Sequence, residues 1–259
     1  MNNHNFITPN WPAPANVHAL QTNRGAASSD AKKTGFSLAP YNSFNLGDHV
    51  KDNPIHVTQN RQLLSQFLPS EPVWLNQTHS TKIVNAANTN CVPDADASFS
   101  TKKNAVCVVM TADCLPVLLC DKAGTIVVAV HAGWRGLCDG ALEASIDEAS
   151  RAAQIKPNDL MAWLGPAIGP NAFKVGAEVR AQFIAKDAKA EVAFKPNGDN
   201  QEQDKWLCDI YQIATQRLNN VGVTQIYGGD RCTFTEKENF YSYRRDGATG
   251  RMATMIWLS

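Results

Sequence analysis

The sequence predicts a single domain of mixed β-strands covered by α-helices. Three apolar runs of strand length follow one another at 105–111, 115–121 and 125–132, and segments with helical spacing of apolar residues lie on both sides of them. The elements repeat at no fixed period, and no stretch has the composition of a linker. A chain of 259 residues can bury a substantial core, so we expect one domain over residues 1–259.

The composition is that of a globular protein without a global preference for polyanions. Hydrophobic residues make up 44% and charged residues 19%, and 24 Lys and Arg balance 24 Asp and Glu, which gives no field favouring nucleic acid or an anionic membrane. The seven cysteines are scattered and odd in number, unlike a disulfide framework. The sequence shows no signal peptide and no apolar run of about 18 residues, so we expect a cytoplasmic protein with free thiols.

The first part of the chain is expected to contain one helix among loops and short strands. Residues 1–16 are rich in Asn and Pro and predict an irregular arm, and the small polar residues of 21–35 predict a loop. Segment 54–67 begins with proline and has helical spacing of apolar residues. Segment 72–84 predicts a strand, a bend and a strand, and 94–100 predicts a polar loop.

The central stretch 105–136 brings reactive side chains to the ends of buried strands. Its first apolar run is apolar on both faces, as is typical of a central strand, and the next two predict a hairpin. Alternation along the last run places His131 on the face of Val127 and Ala129, where an imidazole finds little water and needs another partner.

The remaining elements alternate between helices and strands. They are a helix after a Gly-rich bend (133–154), a strand entering a Gly/Pro loop (161–170), a helix (175–191), an amphipathic helix closed by Gly222 (206–222), a strand (223–229), the loop SYRRDG (242–247) and a terminal apolar strand.

A candidate metal site consists of His79, Cys114 and His131. Thiolate and imidazole are preferred zinc ligands, and three protein ligands leave the fourth position of a catalytic zinc open to a water whose pKa falls towards about 7. The ligands lie 35 and 17 residues apart, which is not a zinc-finger spacing. Asp113 precedes Cys114 and would face the opposite side of a regular strand, so it is a second-choice acid/base or supporting group.

Spacing alone leaves three other interpretations open. Cys114 and His131 could form a metal-free thiolate–imidazole pair for acyl transfer. Two His and one Cys with a weak axial Met110 could bind copper. The three residues could also be unrelated, because the chain uses cysteine as a small apolar residue elsewhere, as at Cys107 and Cys120.

Polar loops carry candidate substrate contacts. Asn45 and Asp48 could bind a substrate hydroxyl, or the turn that contains them could cap its own backbone. Arg135, at a helix start near His131, suits either an anion or a structural carboxylate. Arg244 and Arg245 could grip a ring and a phosphate, or form a surface turn.

Whole motifs resemble those of one bacterial family, from about residue 17 to the C-terminus. They are NLGDHVKDNP, PVWLNQTHSTKIV, DADASFS, VMTADCLPVLLC, VAVHAGWRGL, WLGPAIGPNAFKVGAEV and SYRRDGATGRMA. The family is that of the bacterial polyphenol oxidases, or laccase-like proteins, also named peptidoglycan editing factor and purine nucleoside phosphorylase.

The resemblance implies a cytosolic zinc enzyme of α+β fold, with mixed sheets covered by helices. The implied reactions are phosphorolysis of adenosine, inosine, guanosine and methylthioadenosine, and deamination of adenosine. The family's zinc ligands fall on His79, Cys114 and His131, and Asn45 becomes the candidate for the ribose. The expected partners are a purine nucleoside and phosphate, with no nucleic acid, membrane or obligate protein partner.

Two segments depart from the family pattern. The early Thr-x-Arg-x-Gly-Gly-Val-Ser loop is present only as TNRGAAS, followed by extra residues through Lys33, so Arg24 stays a phosphate candidate beside Arg135, Arg244 and Arg245. Some members carry Cys or His after GPAIGP, where this chain has AsnAla at 171–172, so that segment is left out of the metal site.

The family names imply two alternative activities. One is a copper-binding polyphenol oxidoreductase, and the other is a hydrolase that edits misincorporated residues in peptidoglycan precursors. The oxidase is the weaker expectation, because a multicopper oxidase commonly uses more imidazoles than the six histidines available, and the sequence has no His-x-His pair.

Overall fold

The structure of the protein is a computed structural model that describes residues 6–25, 35–198 and 204–259. Within these ranges the strands are β1 (Phe6–Ile7), β2 (Val17–Thr22), β3 (Ile83–Asn85), β4 (Ala97–Ser100), β5 (Cys107–Thr111), β6 (Leu115–Asp121), β7 (Val127–Ala132), β8 (Leu160–Leu164), β9 (Lys174–Gly176), β10 (Phe194–Pro196), β11 (Lys205–Cys208), β12 (Gln225–Gly228) and β13 (Met252–Leu258). The α-helices are α1 (Pro54–Ser65), α2 (Trp134–Asp139), α3 (Ala141–Ala153), α4 (Ala177–Lys186), α5 (Ile210–Asn220) and α6 (Tyr243–Asp246).

Two sheets stack face to face, and helices cover the outer face of the larger one. The larger sheet has the strand order β12-β8-β6-β7-β4-β3, and a four-stranded sheet of order β1-β2-β13-β5 packs against one of its faces. Helix α3 covers the other face and α5 packs on α3. A third, small sheet has the order β10-β11-β9, and its buried residues join the core under the helices. This arrangement confirms the expected α+β fold with mixed sheets under helices.

The central strands form as the apolar runs predict. Every residue of β5, β6 and β7 is buried, and β6 pairs with β7 as an antiparallel hairpin. Val128 and Val130 belong to the core under the helices, whereas Val127 and Ala129 belong to the core between the two sheets. The predicted alternation is therefore confirmed, and His131 follows Val127 and Ala129 towards the four-stranded sheet.

Three predictions of secondary structure are wrong. Segment 94–100 is not a polar loop, because β4 within it is a buried strand between β7 and β3 that satisfies its backbone by pairing on both sides. The first strand predicted in 72–84 is reduced to isolated bridges. Segment 206–222 begins as strand β11, and α5 starts only after Asp209, whose side chain accepts a hydrogen bond from the Gln212 N–H.

Other predictions are confirmed within smaller limits. Helix α1 fills most of 54–67, β8 and β12 form as expected, and the apolar C-terminal segment is β13. The helix predicted after the Gly-rich bend is split into α2 and α3 at Gly140, which has a φ of 103°. Residues 26–34 of the predicted loop 21–35 lie outside the described residues. No helix in the described ranges is long and apolar enough to cross a membrane.

Candidate metal centre

The three predicted metal ligands converge in space. The ligand atoms of His79, Cys114 and His131 all lie within 4.8 Å of one another. Cys114 Sγ is 3.7 Å from His79 Nε2, and the two imidazole rings meet edge to face with centroids 4.8 Å apart. Zinc bonds of about 2.0–2.3 Å place a nitrogen and a sulfur ligand of one ion at most about 4.4 Å apart, and the 3.7 Å between His79 Nε2 and Cys114 Sγ is within this limit. The chemistry of the donor set therefore fits a metal, and the interpretation of three unrelated buried residues is wrong.

Strand pairing explains why residues distant in sequence meet. Cys114 immediately precedes β6, and His131 is the penultimate residue of β7, so the antiparallel pairing of Pro116 with His131 brings the thiol beside the imidazole. His79 enters from the bend before β3 with a φ of 61°. A Cβ on Gly133 would come within 2.5 Å of His79 Cδ2, so the glycine after HisAla makes this approach possible.

A buried carboxylate, Asp96, fixes both histidines. Its Oδ1 accepts hydrogen bonds from His131 Nδ1 at 2.7 Å and from the His79 N–H at 3.0 Å. Its Oδ2 accepts from the Ser80 N–H at 2.6 Å and from the Ser80 hydroxyl at 2.7 Å. The bond to Nδ1 leaves His131 Nε2 to face the metal position, the usual arrangement of a carboxylate behind a ligating histidine.

The sequence does not single out Asp96, because the composition of 94–100 predicts a polar loop. Burial opposes its ionisation, but hydrogen bonds from His131 and Ser80 and the charge of His131 outweigh this and hold the pKa of Asp96 well below its usual range.

A second carboxylate, Asp113, supports a helix and not the histidines. It accepts hydrogen bonds from Thr233 Oγ1 at 2.6 Å and from the Arg244 N–H at 2.7 Å, and so anchors the start of α6.

The cluster sets Cys114 apart from the other buried cysteines. Burial opposes its ionisation, but the charge of His131 and hydrogen bonds from His131 and His79 lower the pKa of Cys114 to about 6. Burial likewise works against a charge on His131, but the Cys114 thiolate and Asp96 raise the pKa of His131 to about 9. By contrast, burial raises the pKa of Cys107 to about 12. In the metal-free site the two shifts therefore favour a thiolate on Cys114 and a protonated imidazole on His131.

Two neighbouring hollows flank the cluster, and both are lined by Ala112, Cys114 and Tyr243. The metal lobe has a volume of about 340 Å³ and contains the three ligands. Its other lining residues are His49, Gln77, Met110, Thr111 and Arg251. The aromatic lobe has a volume of about 250 Å³, and its other lining residues are Asp113, Trp134, Arg135, Ile168, Phe173, Ile210 and Arg244.

Comparison with known proteins identifies the family. A family model described as multi-copper polyphenol oxidoreductase laccase matches residues 26–259. The chain belongs to this laccase-like family. The family predicted from the motifs is thus confirmed.

Relatives across nearly the whole chain carry another name. The purine nucleoside phosphorylase of Haemophilus influenzae is 54% identical over 253 residues, which cover 97% of this chain and 98% of the relative. The purine nucleoside phosphorylase YfiH of Escherichia coli is 53% identical over 256 residues, which cover 98% of each chain. A crystal structure of a Neisseria meningitidis protein is 48% identical and has a TM-score of 0.89, with 98% of this chain and 99% of that one covered.

Only two of the four predicted phosphate-binding arginines line the cavity of this family member. The Arg135 guanidinium lies 4.4 Å from the Trp134 ring centroid and has no carboxylate partner among the described residues. Arg244 donates from Nη1 to the Lys174 carbonyl at 2.6 Å. Arg24 and Arg245 line neither lobe. They face a separate hollow of about 520 Å³.

The Arg245 guanidinium is held by neighbouring protein groups, and its predicted phosphate contact stays a prediction. It donates to the backbone carbonyls of Thr233, Phe234 and Phe240 and to the Asp246 carboxylate. Arg24 is similarly engaged, with Nη1 donating to the Lys237 carbonyl at 3.0 Å. The structure does not bring either side chain to the metal cluster.

Asn45 lines neither lobe, and its predicted substrate contact stays a prediction. Asn45 is fully buried, and its Nδ2 donates to the Gly47 carbonyl at 3.0 Å and to Asp52 Oδ2 at 2.9 Å. Its Oδ1 accepts from the N–H groups of Gly47 at 2.9 Å and Arg251 at 2.8 Å. The alternative interpretation, a turn that caps its own backbone, is what the structure shows.

Sequence reasoning missed three polar residues of the metal lobe. Gln77 exchanges hydrogen bonds with the Met110 backbone, at 2.7 Å and 2.8 Å, and so fastens the loop of His79 to β5. Burial and the charge of Arg251 lower the pKa of His49, against Asp48, so its imidazole is neutral at pH 7. Arg251 is the third. His49 and Arg251 stand in two of the family motifs, NLGDHV and GRMA, which was the signal available for them.

Proposed function

We propose that this member of the laccase-like family is a zinc-dependent purine nucleoside phosphorylase. Its substrates are adenosine, inosine, guanosine and methylthioadenosine, and it also deaminates adenosine. The observation that carries the proposal is a three-ligand His–Cys–His cluster that opens into a cavity with one polar and one aromatic lobe. Relatives with more than half of their residues identical bear the phosphorylase name.

Phosphorolysis sets three requirements for the chain. A phosphate oxygen forms a bond to C1′ while the C1′–N9 bond breaks, and the electron pair leaves with the purine, which takes up a proton. The products are ribose 1-phosphate and the free base. The protein must therefore hold a planar base, hold an anion and move a proton. Deamination shares the base site, but water adds at C6 and ammonia leaves.

The lobes meet these requirements with different residues. Trp134, Phe173 and Tyr243 in the aromatic lobe offer ring faces for a purine. His49 in the metal lobe is neutral at pH 7 and suited to accept a proton from the attacking group.

We assign His79, Cys114 and His131 as the catalytic metal ligands. Asp96 orients two of them. A zinc ion, when bound, supplies Lewis acidity and takes no part in redox chemistry. This suits both reactions, because neither changes an oxidation state.

The test is product analysis with purified protein, inosine and phosphate, with and without a chelator. We expect hypoxanthine release in phosphate, loss of release with chelator and recovery with added zinc. Cys114→Ala should lack both metal and turnover, whereas the exposed Cys91→Ala should behave as wild type. Hypoxanthine release by Cys114→Ala at the wild-type rate would show that the site is elsewhere.

A copper-dependent phenol oxidase is the second candidate. It is supported by the description of the matching family model and by Met110, which lines the metal lobe beside two His and one Cys. Metal analysis of protein produced without added copper separates the two candidates, together with phenol oxidation before and after copper loading. Copper in the purified protein and phenol turnover faster than nucleoside turnover would favour the oxidase.

We also propose that residues 1–259 act as one catalytic domain in the cytoplasm. All seven cysteines are free thiols, which supports a reducing compartment.

A further inference from the structure

The arginines of the chain divide into two groups. Seven of the ten pair with a carboxylate. The other three, Arg135, Arg244 and Arg251, have no carboxylate partner among the described residues, and all three line the lobes that meet at Cys114. The arginines without an ion-pair partner therefore concentrate where a substrate would bind.

Arg251 differs from the other two by its lobe and its burial. It alone lies in the metal lobe, and it is half-buried, whereas Arg135 and Arg244 are exposed. Each of the three guanidiniums lies near an aromatic ring, that of Trp134 for Arg135, Phe173 for Arg244 and Tyr243 for Arg251. Burial lowers the pKa of Arg251, against the charges of Cys114 and Asp113, yet an arginine remains charged at neutral pH. A charge removed from water without an ion-pair partner is costly unless a ligand supplies that partner.

The turn at 45–47 fixes the backbone of Arg251, and two backbone carbonyls fix its guanidinium. The fully buried Asn45 accepts the Arg251 N–H at 2.8 Å, while Arg251 Nη1 donates to the carbonyls of Thr249 and Gly250 at 3.1 Å and 3.0 Å. Gly47 leaves the space for the stem, because a Cβ there would lie 2.7 Å from Arg251 Cγ. The side chain is thus pre-positioned, which limits the entropy lost when it binds a ligand.

We propose that Arg251 is the phosphate-binding residue of the metal lobe and that the Asn45–Gly47 turn is its positioning element. The inference rests on the proposed phosphorylase function. Arg251 contacts the oxygens of inorganic phosphate that do not attack C1′, so the nucleophilic oxygen is turned towards the sugar. The assignment replaces Arg24 and Arg245, which face another hollow. Arg135 and Arg244 then serve the base in the aromatic lobe.

The experiment measures phosphate and inosine kinetics separately, in zinc-loaded protein. We expect Arg251→Gln to raise the phosphate KM about 10- to 100-fold, the range of a charge-assisted hydrogen bond, with inosine KM and zinc content unchanged. Arg251→Lys should recover part of the loss, because the charge returns without the planar fork. Gly47→Ala, which keeps the charge but displaces the stem, should raise the phosphate KM with little change in kcat.

Two further variants make the result specific. Arg151→Gln removes an exposed arginine that pairs with Glu148 and should match wild type. Arg24→Gln tests the competing hollow. A raised phosphate KM in Arg24→Gln together with an unchanged one in Arg251→Gln would overturn the inference.

Direct titration separates this inference from the proposed function. Calorimetry with inorganic phosphate should show binding to wild type and binding weakened about 10- to 100-fold in Arg251→Gln, whether or not turnover occurs. Wild-type protein that binds phosphate but releases no base would contradict the phosphorylase function and leave Arg251 as an anion site. Turnover by wild type, with equal phosphate binding in both proteins, would contradict the role of Arg251 alone.

Discussion

Replacing Asp96 by Asn should weaken metal binding while leaving every metal ligand in place. The carboxylate serves donors on both oxygens: His131 Nδ1 and the His79 N–H on Oδ1, and the Ser80 N–H and hydroxyl on Oδ2. An amide of the same size has one acceptor oxygen, so its NH2 must face one of these two sets of donors. Either orientation leaves buried donors without an acceptor.

The expected loss follows from the two functions of the carboxylate. Removing the group behind a ligating histidine typically weakens metal binding about 10- to 100-fold, or about 1.4–2.8 kcal/mol. Breaking a buried charge pair adds a loss of unfolding free energy of about 3–5 kcal/mol. Competition with a chromophoric chelator measures the metal affinity, and urea unfolding of the metal-free protein measures the stability.

A matched control lies two residues away. Asp94 is exposed, and among the described residues its carboxylate accepts only a hydrogen bond from Asn76 Nδ2 at 2.7 Å, so Asp94→Asn should change neither quantity appreciably. If folded Asp96→Asn held zinc as tightly as wild type, the argument that this carboxylate orients the two histidines would be refuted.

Three further predictions concern the same cluster. After a chelator has removed the metal, Cys114 should react with iodoacetamide at a rate nearly constant between pH 7 and 9, because its pKa is lowered to about 6. Cys107, whose pKa is raised to about 12, should stay unmodified. Mass spectrometry should also show that bound zinc protects Cys114. The pKa of Asp96 is held below its usual range in the folded protein. Its contribution to stability is therefore complete above the pKa of the unfolded chain, about 3.9, and is lost as pH falls towards the pKa of the folded state. The urea midpoints of wild type and Asp96→Asn should accordingly converge as pH falls below about 4. Gly133→Ala should displace the His79 ring, which the new Cβ would meet at 2.5 Å, and lower zinc occupancy measured by elemental analysis, at a cost in stability of about 1–3 kcal/mol. Retained zinc in Gly133→Ala would show that the ring is not held against this glycine.

Local sequence pattern predicts the strands that are buried on both faces. Strands β5, β6 and β7 are unbroken apolar runs, and the period of two in β7 correctly placed His131. β4 escaped detection because its residues, ASFS, carry neither a strong strand propensity nor a clear alternation. It becomes a strand through pairing with both neighbours, and Asp96 becomes a buried anchor only as a result.

Sequence motifs predict the metal ligands of the site, but they do not predict the residues whose roles depend on tertiary contacts. Spacing alone left the His79, Cys114 and His131 cluster undecided, and the family motifs selected it. The contact between Asn45 and Arg251 joins residues 206 apart in sequence, so a turn motif suggested a substrate contact where the structure has a support for an arginine. Likewise, adjacent Arg244 and Arg245 looked equivalent, but one lines the aromatic lobe and the other binds backbone carbonyls.

X-ray absorption at the zinc edge, on protein produced without added copper, identifies the bound metal and its ligand atoms. We expect one zinc per chain with two nitrogen ligands and one sulfur ligand from the protein, and loss of the sulfur contribution in Cys114→Ala. A metal-free protein with full nucleoside phosphorolysis, or a bound zinc without sulfur, would contradict this expectation.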